Sequence, residues 1–165
     1  MVIVSDATPL NYLIVIEAVD ILPRLYNRVL IPPAVLGELS QPKTPAPVRA
    51  WLAQPPPWLE IVAPASRADP TLAYLDAGET DAITLALERG VELLLMDERD
   101  GTAAARQRGL TVTGTIGALD RAASLGLVDL PVAFARLRQT TFRAPLRLMD
   151  LLLEQDAARR KLVLP

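Results

Sequence analysis

Four carboxylates stand where the chain leaves a short apolar run or enters a helix. Asp6 follows Val2–Ile3–Val4, Glu38 sits among Val35, Leu36 and Leu39, Asp81 precedes Ala82–Ile83, and Asp97 ends Leu93–Met96. Four acids brought to one place repel one another and resist ionisation unless a cation sits among them. The chain has no histidine and no cysteine. That excludes a Ser-His-Asp triad, a cysteine nucleophile, zinc–thiolate and iron–sulfur sites, and haem held by histidine. What remains is oxygen-ligand chemistry, and the cation suited to it is Mg²⁺ or Mn²⁺. Other phosphate chemistries lack their residues. There is no GxxxxGK[ST] loop, and Gly114–Thr115–Ile116–Gly117 is not a dinucleotide fingerprint. Ser5, Ser40, Ser66 and Ser124 lack the glycines of a nucleophile elbow. Lys43 and Lys161 are misplaced for a phosphoacceptor receiver domain. Each acid taken alone also has a plainer reading: Asp6 as a turn residue, Glu79 and Asp81 as charges favoured at a helix N-terminus, Glu38 as a solvated helix residue, Asp97 with Glu98 and Asp100 as a polar loop. The set and its topology carry the functional assignment.

The elements that must position these acids alternate. Val2–Val4, Val29–Ile31, Leu59–Val62, Leu93–Met96 and Leu110–Thr113 read as short strands. Helices are expected from Thr8–Pro9 with Thr8 as N-cap, over 32–39, over 48–53, led into by Gly78–Asp81 and stopped by Gly90, over 103–108 and over 115–125. Beyond Pro131 the pattern is helical, in two pieces split near Phe142–Pro145. This alternation predicts an α/β fold of three layers, α/β/α, with a mainly parallel central sheet and extra C-terminal helices. Ligands in such folds bind outside the carboxyl ends of the strands. Asp6 and Asp97 fall there, and Glu38 and Asp81 fall just inside helices that follow loops at that edge. Ten of the fifteen prolines lie between Pro32 and Pro70, an irregular excursion within one domain.

With 165 residues, 51% apolar and 22% charged, the chain is expected to form a single domain over 1–165, with a core over about 1–125 and a helical extension over about 126–165. Net charge is −2, unevenly spread. Acids outnumber bases 14 to 7 over residues 1–100, and bases outnumber acids 10 to 5 beyond. Nearly all the basic residues are arginine, the better partner for oxyanions such as phosphate. An acidic site with a basic flank fits this division; so do solvated helix faces. The N-terminal residues carry no signal-peptide pattern and no apolar run approaches membrane-spanning length, so a soluble cytoplasmic protein is expected.

Five segments resemble a known family in order: V-S-D-A-T-P-L at 4–10, I-P-P-A-V-L-G-E-L at 31–39, G-E-T-D-A-I at 78–83, L-M-D-E-R-D-G at 95–101 and G-L-T-V-T-G-T-I-G-A-L at 109–119. Together they resemble a PIN domain, the metal-dependent ribonuclease family that includes VapC-like toxins of toxin–antitoxin pairs. The G-T-x-G-x-L segment at 114–119 and Phe142–Arg143 are similar to a less-characterised PIN-like branch. The resemblance implies catalytic roles for Asp6, Glu38, Asp81 and Asp97. It implies Mg²⁺ or Mn²⁺ held by Asp6, Asp81 and Asp97, and a hydroxyl at Thr8 beside the first aspartate. Glu79 competes with Asp81 for its role, Asp100 is a further candidate ligand, and Thr102 stands where this branch leads one to expect arginine.

The activity so implied is divalent-metal-dependent hydrolysis of RNA phosphodiesters, with an antitoxin as a further partner and a two-fold homodimer as the assembly. Arg99, Arg106 and Arg108, or Arg143 and Arg147, are candidates to neutralise RNA phosphates. Trp51 and Trp58, in the proline-rich stretch, are expected to pack rather than stack on bases. Leu146, Leu148, Leu151, Leu152 and Leu153 crowd more than one face of the last helix, which points to cover by a second subunit, the competing reading being that they fold back entirely onto the chain's own sheet. Two other classes stay open. One is a PIN-like binding or regulatory module with little turnover; the other is a Mg²⁺-dependent hydrolase of small phosphates in a closed pocket.

Overall fold

Strands β1 (Val2–Ser5), β2 (Arg28–Ile31), β3 (Leu59–Ile61), β4 (Leu93–Leu95) and β5 (Thr111–Thr113) form one all-parallel sheet in the order β3–β2–β1–β4–β5. The structure is a computed structural model and describes residues 1–163. Successive strand residues point to opposite faces, and the sequence supplies apolar side chains to both. Ile3, Val29, Ile31 and Leu95 enter one buried cluster; Val4, Leu30 and Leu94 enter the other. That is why these strands are unbroken apolar runs rather than alternating ones.

Nine α-helices are present among the described residues: α1 (Ala7–Val15), α2 (Ile21–Leu25), α3 (Pro33–Leu39), α4 (Ala46–Ala53), α5 (Ala77–Arg89), α6 (Arg99–Gln107), α7 (Thr115–Ser124), α8 (Leu130–Arg138) and α9 (Leu146–Val163). Residues of α1 to α4, α7 and α8 close one face of the sheet, and α5 and α6 close the other. The result is the three-layer α/β/α arrangement. The C-terminal helices belong to the first of these layers. Phe134 and Leu137 of α8 and Met149 of α9 are fully buried in the same cluster as Leu10 and Ile116. A buried acid, Asp156, takes Arg159 and Arg160 of its own helix, while Arg159 also reaches Asp120 of α7 at 2.7 Å. The leucines of α9 divide: Leu152 and Leu153 pack against the core, whereas Leu146, Leu148 and Leu151 are exposed. No helix of the described residues is long and apolar enough to cross a membrane.

Three helix starts differ from the sequence expectation. Helix α1 begins at Ala7, with Asp6 rather than Thr8 in the cap position. The Thr8 hydroxyl is spent on Glu98 instead. Helix α5 begins at Ala77 behind an Asp76 N-cap, and Glu79 completes a capping box. Helix α6 begins at Arg99, four residues before the expected Ala103, so Asp100 and Gly101 lie in its first turn. The short α2 was not anticipated; Pro23 interrupts its pattern, and burial of Ile21 and Leu22 holds it.

Candidate active site

The sheet order places β1 beside β4, so the chain's connections diverge from that pair towards opposite edges. This is the topological switch point, where an open parallel sheet leaves a crevice at its carboxyl ends. Asp6 directly follows β1 there, and its backbone N–H donates to the Leu95 carbonyl at 2.8 Å, so pairing continues to the brink of the crevice. Asp97 leaves β4 two residues beyond Leu95 on the adjacent strand.

Each carboxylate at the crevice is held by a specific local device. Asp97 accepts from the backbone N–H of Thr115 at 2.8 Å and from the Thr115 hydroxyl at 2.6 Å, at the start of α7. Gly114 permits this approach, since a Cβ there would collide with the Asp97 carboxylate. Glu38 reaches across from α3 and lies against Gly78 in the first turn of α5, where any larger residue would strike it. Glu79, 7% exposed, accepts the Asp76 N–H in the capping box through one oxygen and directs the other towards Gly101. Glu98 receives the Thr8 hydroxyl.

The electrostatics report one crowded acidic centre. Asp6, 2% exposed, is pushed up to about 9 by burial first and then by Glu98, with Glu38 adding to it. Glu38 is pushed up to about 7 by burial and by Asp76, Glu98 and Glu79, against a lowering hydrogen bond from the Gly78 backbone. Glu79 and Asp97 are raised by burial, with Glu98 contributing to both. Asp81 behaves differently: partial burial alone raises it, and no neighbouring carboxylate acts on it.

A broad open cleft of about 1840 Å³ runs over this centre. Thr8, Glu38, Asp76, Glu79, Asp97, Glu98 and Asp100 line it, and neither the buried Asp6 nor Asp81 does. Glu79 and Asp81 stand two apart in α5, so their side chains leave the helix about 160° apart. The structure thus brings Asp6, Glu38 and Asp97 together with Glu79, and no other carboxylate acts on Asp81. Asp76 and Glu98 were missed as members of the centre. The D-x-x-E spacing of Asp76 and Glu79 is a legible capping signal; Glu98 had only its adjacency to Asp97.

The set is chemically suited to a hard cation. All its donors are oxygen, and two of them, Asp6 Oδ1 and Glu98 Oε2, are buried without any hydrogen-bond partner. Among the described residues no three acids form a ready-made ligand cluster. Asp97, Glu38 and Glu79 instead lean on the hydroxyl and backbone N–H donors described above.

Around the acids the cleft turns basic and aromatic. Lys43, Arg99, Arg106 and Arg143 line it with Tyr12, Tyr74 and Phe142. Tyr12 and Phe142 meet edge to face at 5.0 Å, which ties the loop before α9 to α1. Arg108 is turned away to Asp69 and Thr71, and Arg147 is not among the lining residues. Trp51 and Trp58 pack on each other at 5.7 Å against the core, outside the cleft.

The model of the family DUF3368, described as a PIN domain, matches residues 2–157. The chain belongs to the PIN-domain family. A PIN domain is a nuclease-type fold. Neither the curated proteins nor the solved structures give a match to this PIN domain.

Proposed function

We propose that this PIN domain is a divalent-metal-dependent endoribonuclease whose centre is built by Asp6, Glu38, Glu79 and Asp97. The observation that carries the reading is the pair of buried, partnerless carboxylate oxygens at the switch point, under a cleft rimmed by arginines. Asp6 and Asp97, from adjacent strands, would hold Mg²⁺ or Mn²⁺, with Glu79 from α5 completing the set. The bound cation would neutralise the crowded acids and stabilise negative charge growing on a phosphodiester. Glu38, with its acidity near neutral, is suited to take a proton from the attacking water. The Thr115 hydroxyl keeps Asp97 oriented, and Thr8 keeps Glu98 facing the cleft. Lys43, Arg99, Arg106 and Arg143 would neutralise flanking phosphates, and exposed Tyr74 offers a face for a base.

The cleft is broad and open rather than a closed pocket, which favours a polymer over a small phosphate. The reading extends to the toxin of a toxin–antitoxin pair in the cytoplasm, with an antitoxin chain as partner. It extends also to a two-fold homodimer through the exposed Leu146, Leu148 and Leu151 of α9. A binding module with little turnover is the second reading. The capping role of Glu79 and the Thr115 bonds of Asp97 favour it, because both acids already have structural work. Incubation of a mixed structured-RNA pool with Mg²⁺ or Mn²⁺, beside Asp6→Asn, separates the two: cleavage lost in the variant supports the nuclease, and binding without cleavage supports the module.

A further inference from the structure

Glu98 acts on Asp6, Glu38, Glu79 and Asp97, and neither the fold nor the sequence reading assigns it a role. Its carboxylate is split between two environments. Oε1 accepts the Thr8 hydroxyl, while Oε2 is buried with no partner. The neighbouring Asp6 presents the same anomaly, since Oδ1 is buried and unbonded on a side chain only 2% exposed. Buried polar atoms are nearly always paired, because an orphan loses its hydration without compensation. Two neighbouring carboxyls can relieve this cost by sharing a proton or by sharing a cation, and only the cation leaves both of them ionised.

Among the described residues no Lys or Arg forms an ion pair with Asp6 or Glu98. Arg99, Arg106, Arg143 and Lys43 line the cleft. Yet every ion pair found among the described residues lies elsewhere: Arg28–Glu60, Arg108–Asp69, Arg136–Glu17, Arg138–Asp150 and the network of Arg159 and Arg160. The Thr8 hydroxyl holds Glu98 in place but leaves Oε2 unused. We propose that Glu98 is a further ligand of the divalent cation alongside Asp6, held in place by Thr8. This rests on the cation-dependent reading given above. It adds to the carboxylates of β1, α5 and β4 one from the cap of α6, so that cation binding also ties the α6 terminus to α1.

The test is Mn²⁺ binding, read from the loss of the free-ion electron paramagnetic resonance signal, together with thermal melting of the cation-free protein. Glu98→Gln keeps the shape but gives Asp6 an N–H donor in place of an acceptor. The expected signature is paired: melting of the cation-free protein unchanged or higher, and Mn²⁺ affinity roughly 10- to 100-fold weaker. Thr8→Val should weaken Mn²⁺ in the same direction, and Thr8→Ser should restore it. If Glu98→Gln proves unfolded by circular dichroism, the Thr8 pair carries the decision. Wild-type affinity in Glu98→Gln, alongside loss in Asp97→Asn, would overturn the role of Glu98 and leave the cation centre standing. A raised melting temperature with unchanged Mn²⁺ affinity would show that the two acids share a proton only, which also overturns it. No Mn²⁺ uptake by the wild type would overturn both.

Discussion

Cation binding by this PIN domain should be strongly coupled to pH, because the centre holds protons that the cation must displace. Burial and Glu98 push Asp6 up to about 9, so near pH 7 its carboxyl is protonated in the cation-free protein. Releasing that proton across two pH units costs about 2.7 kcal/mol, roughly 100-fold in affinity. Affinity for Mg²⁺ should therefore rise by up to about tenfold per pH unit from pH 6.5 to 8.5. Glu38, pushed up to about 7, steepens the lower part of that range. Isothermal calorimetry in buffers of different ionisation enthalpy counts the protons directly, and between one and two should be released per cation at about pH 7. The same shifts fix the sign for stability. From about pH 4 upward the unfolded chain has released protons that the folded state retains, so the cation-free protein loses stability as pH rises through about 9. The slope is at most about 1.4 kcal/mol per pH unit for each group. Melting of the cation-free protein should fall from pH 5.5 to 8.5, and Mg²⁺ should restore it. In Asp6→Asn the proton release from that position disappears. PH-independent affinity with no proton release in the wild type would refute the reasoning.

Exchange of the two α5 acids distinguishes their roles. Glu79→Gln should abolish the cation-induced rise in melting temperature, and Asp81→Asn should leave it at the wild-type value; the reverse pattern would return Asp81 to the centre. Gly78→Ala places a methyl group on the Glu38 carboxylate. Alanine is otherwise about 0.5–1 kcal/mol better than glycine within a helix, so melting should hold or rise while RNA cleavage falls; cleavage at the wild-type rate would remove Glu38 from the reaction. Light scattering at micromolar concentration should give twice the 17.9 kDa chain mass; a monomer mass would leave Leu146, Leu148 and Leu151 uncovered by a second subunit.

The layers were legible because strand burial on both faces writes unbroken apolar runs such as Val2–Val4 and Leu93–Leu95, and Pro and Gly punctuate the helices between them. The strand-end acids were legible for the same reason, since Asp6 and Asp97 end those runs. In α5 the sequence reading takes Asp81 and sets Glu79 beside it as a competitor; the Asp76–Glu79 capping box is what holds Glu79 among the buried acids. A capping box is local chemistry, so this much was available in the sequence. Other features were not, because they join distant segments. Thr8 meets Glu98, 90 residues away, Phe142 seats on Tyr12, and Asp120 takes Arg159 of the last helix. Residue type alone does not say which hydroxyl caps its own helix and which serves a carboxylate elsewhere. Thr8 was read as the first kind and is the second.

The central claim is that the carboxylates at the β1–β4 switch point, once neutralised by a divalent cation, hydrolyse RNA. A labelled, mixed structured-RNA pool incubated with purified protein tests it most directly, with Mg²⁺, Mn²⁺ or EDTA, and with Asp6→Asn and Asp97→Asn in parallel. The expected result is discrete cleavage products with either cation, none with EDTA, and at least about a 100-fold lower rate in both variants, in line with losing a group that acts directly on the reaction. Equal cleavage by wild type and both variants, or RNA bound intact under every condition, would contradict it.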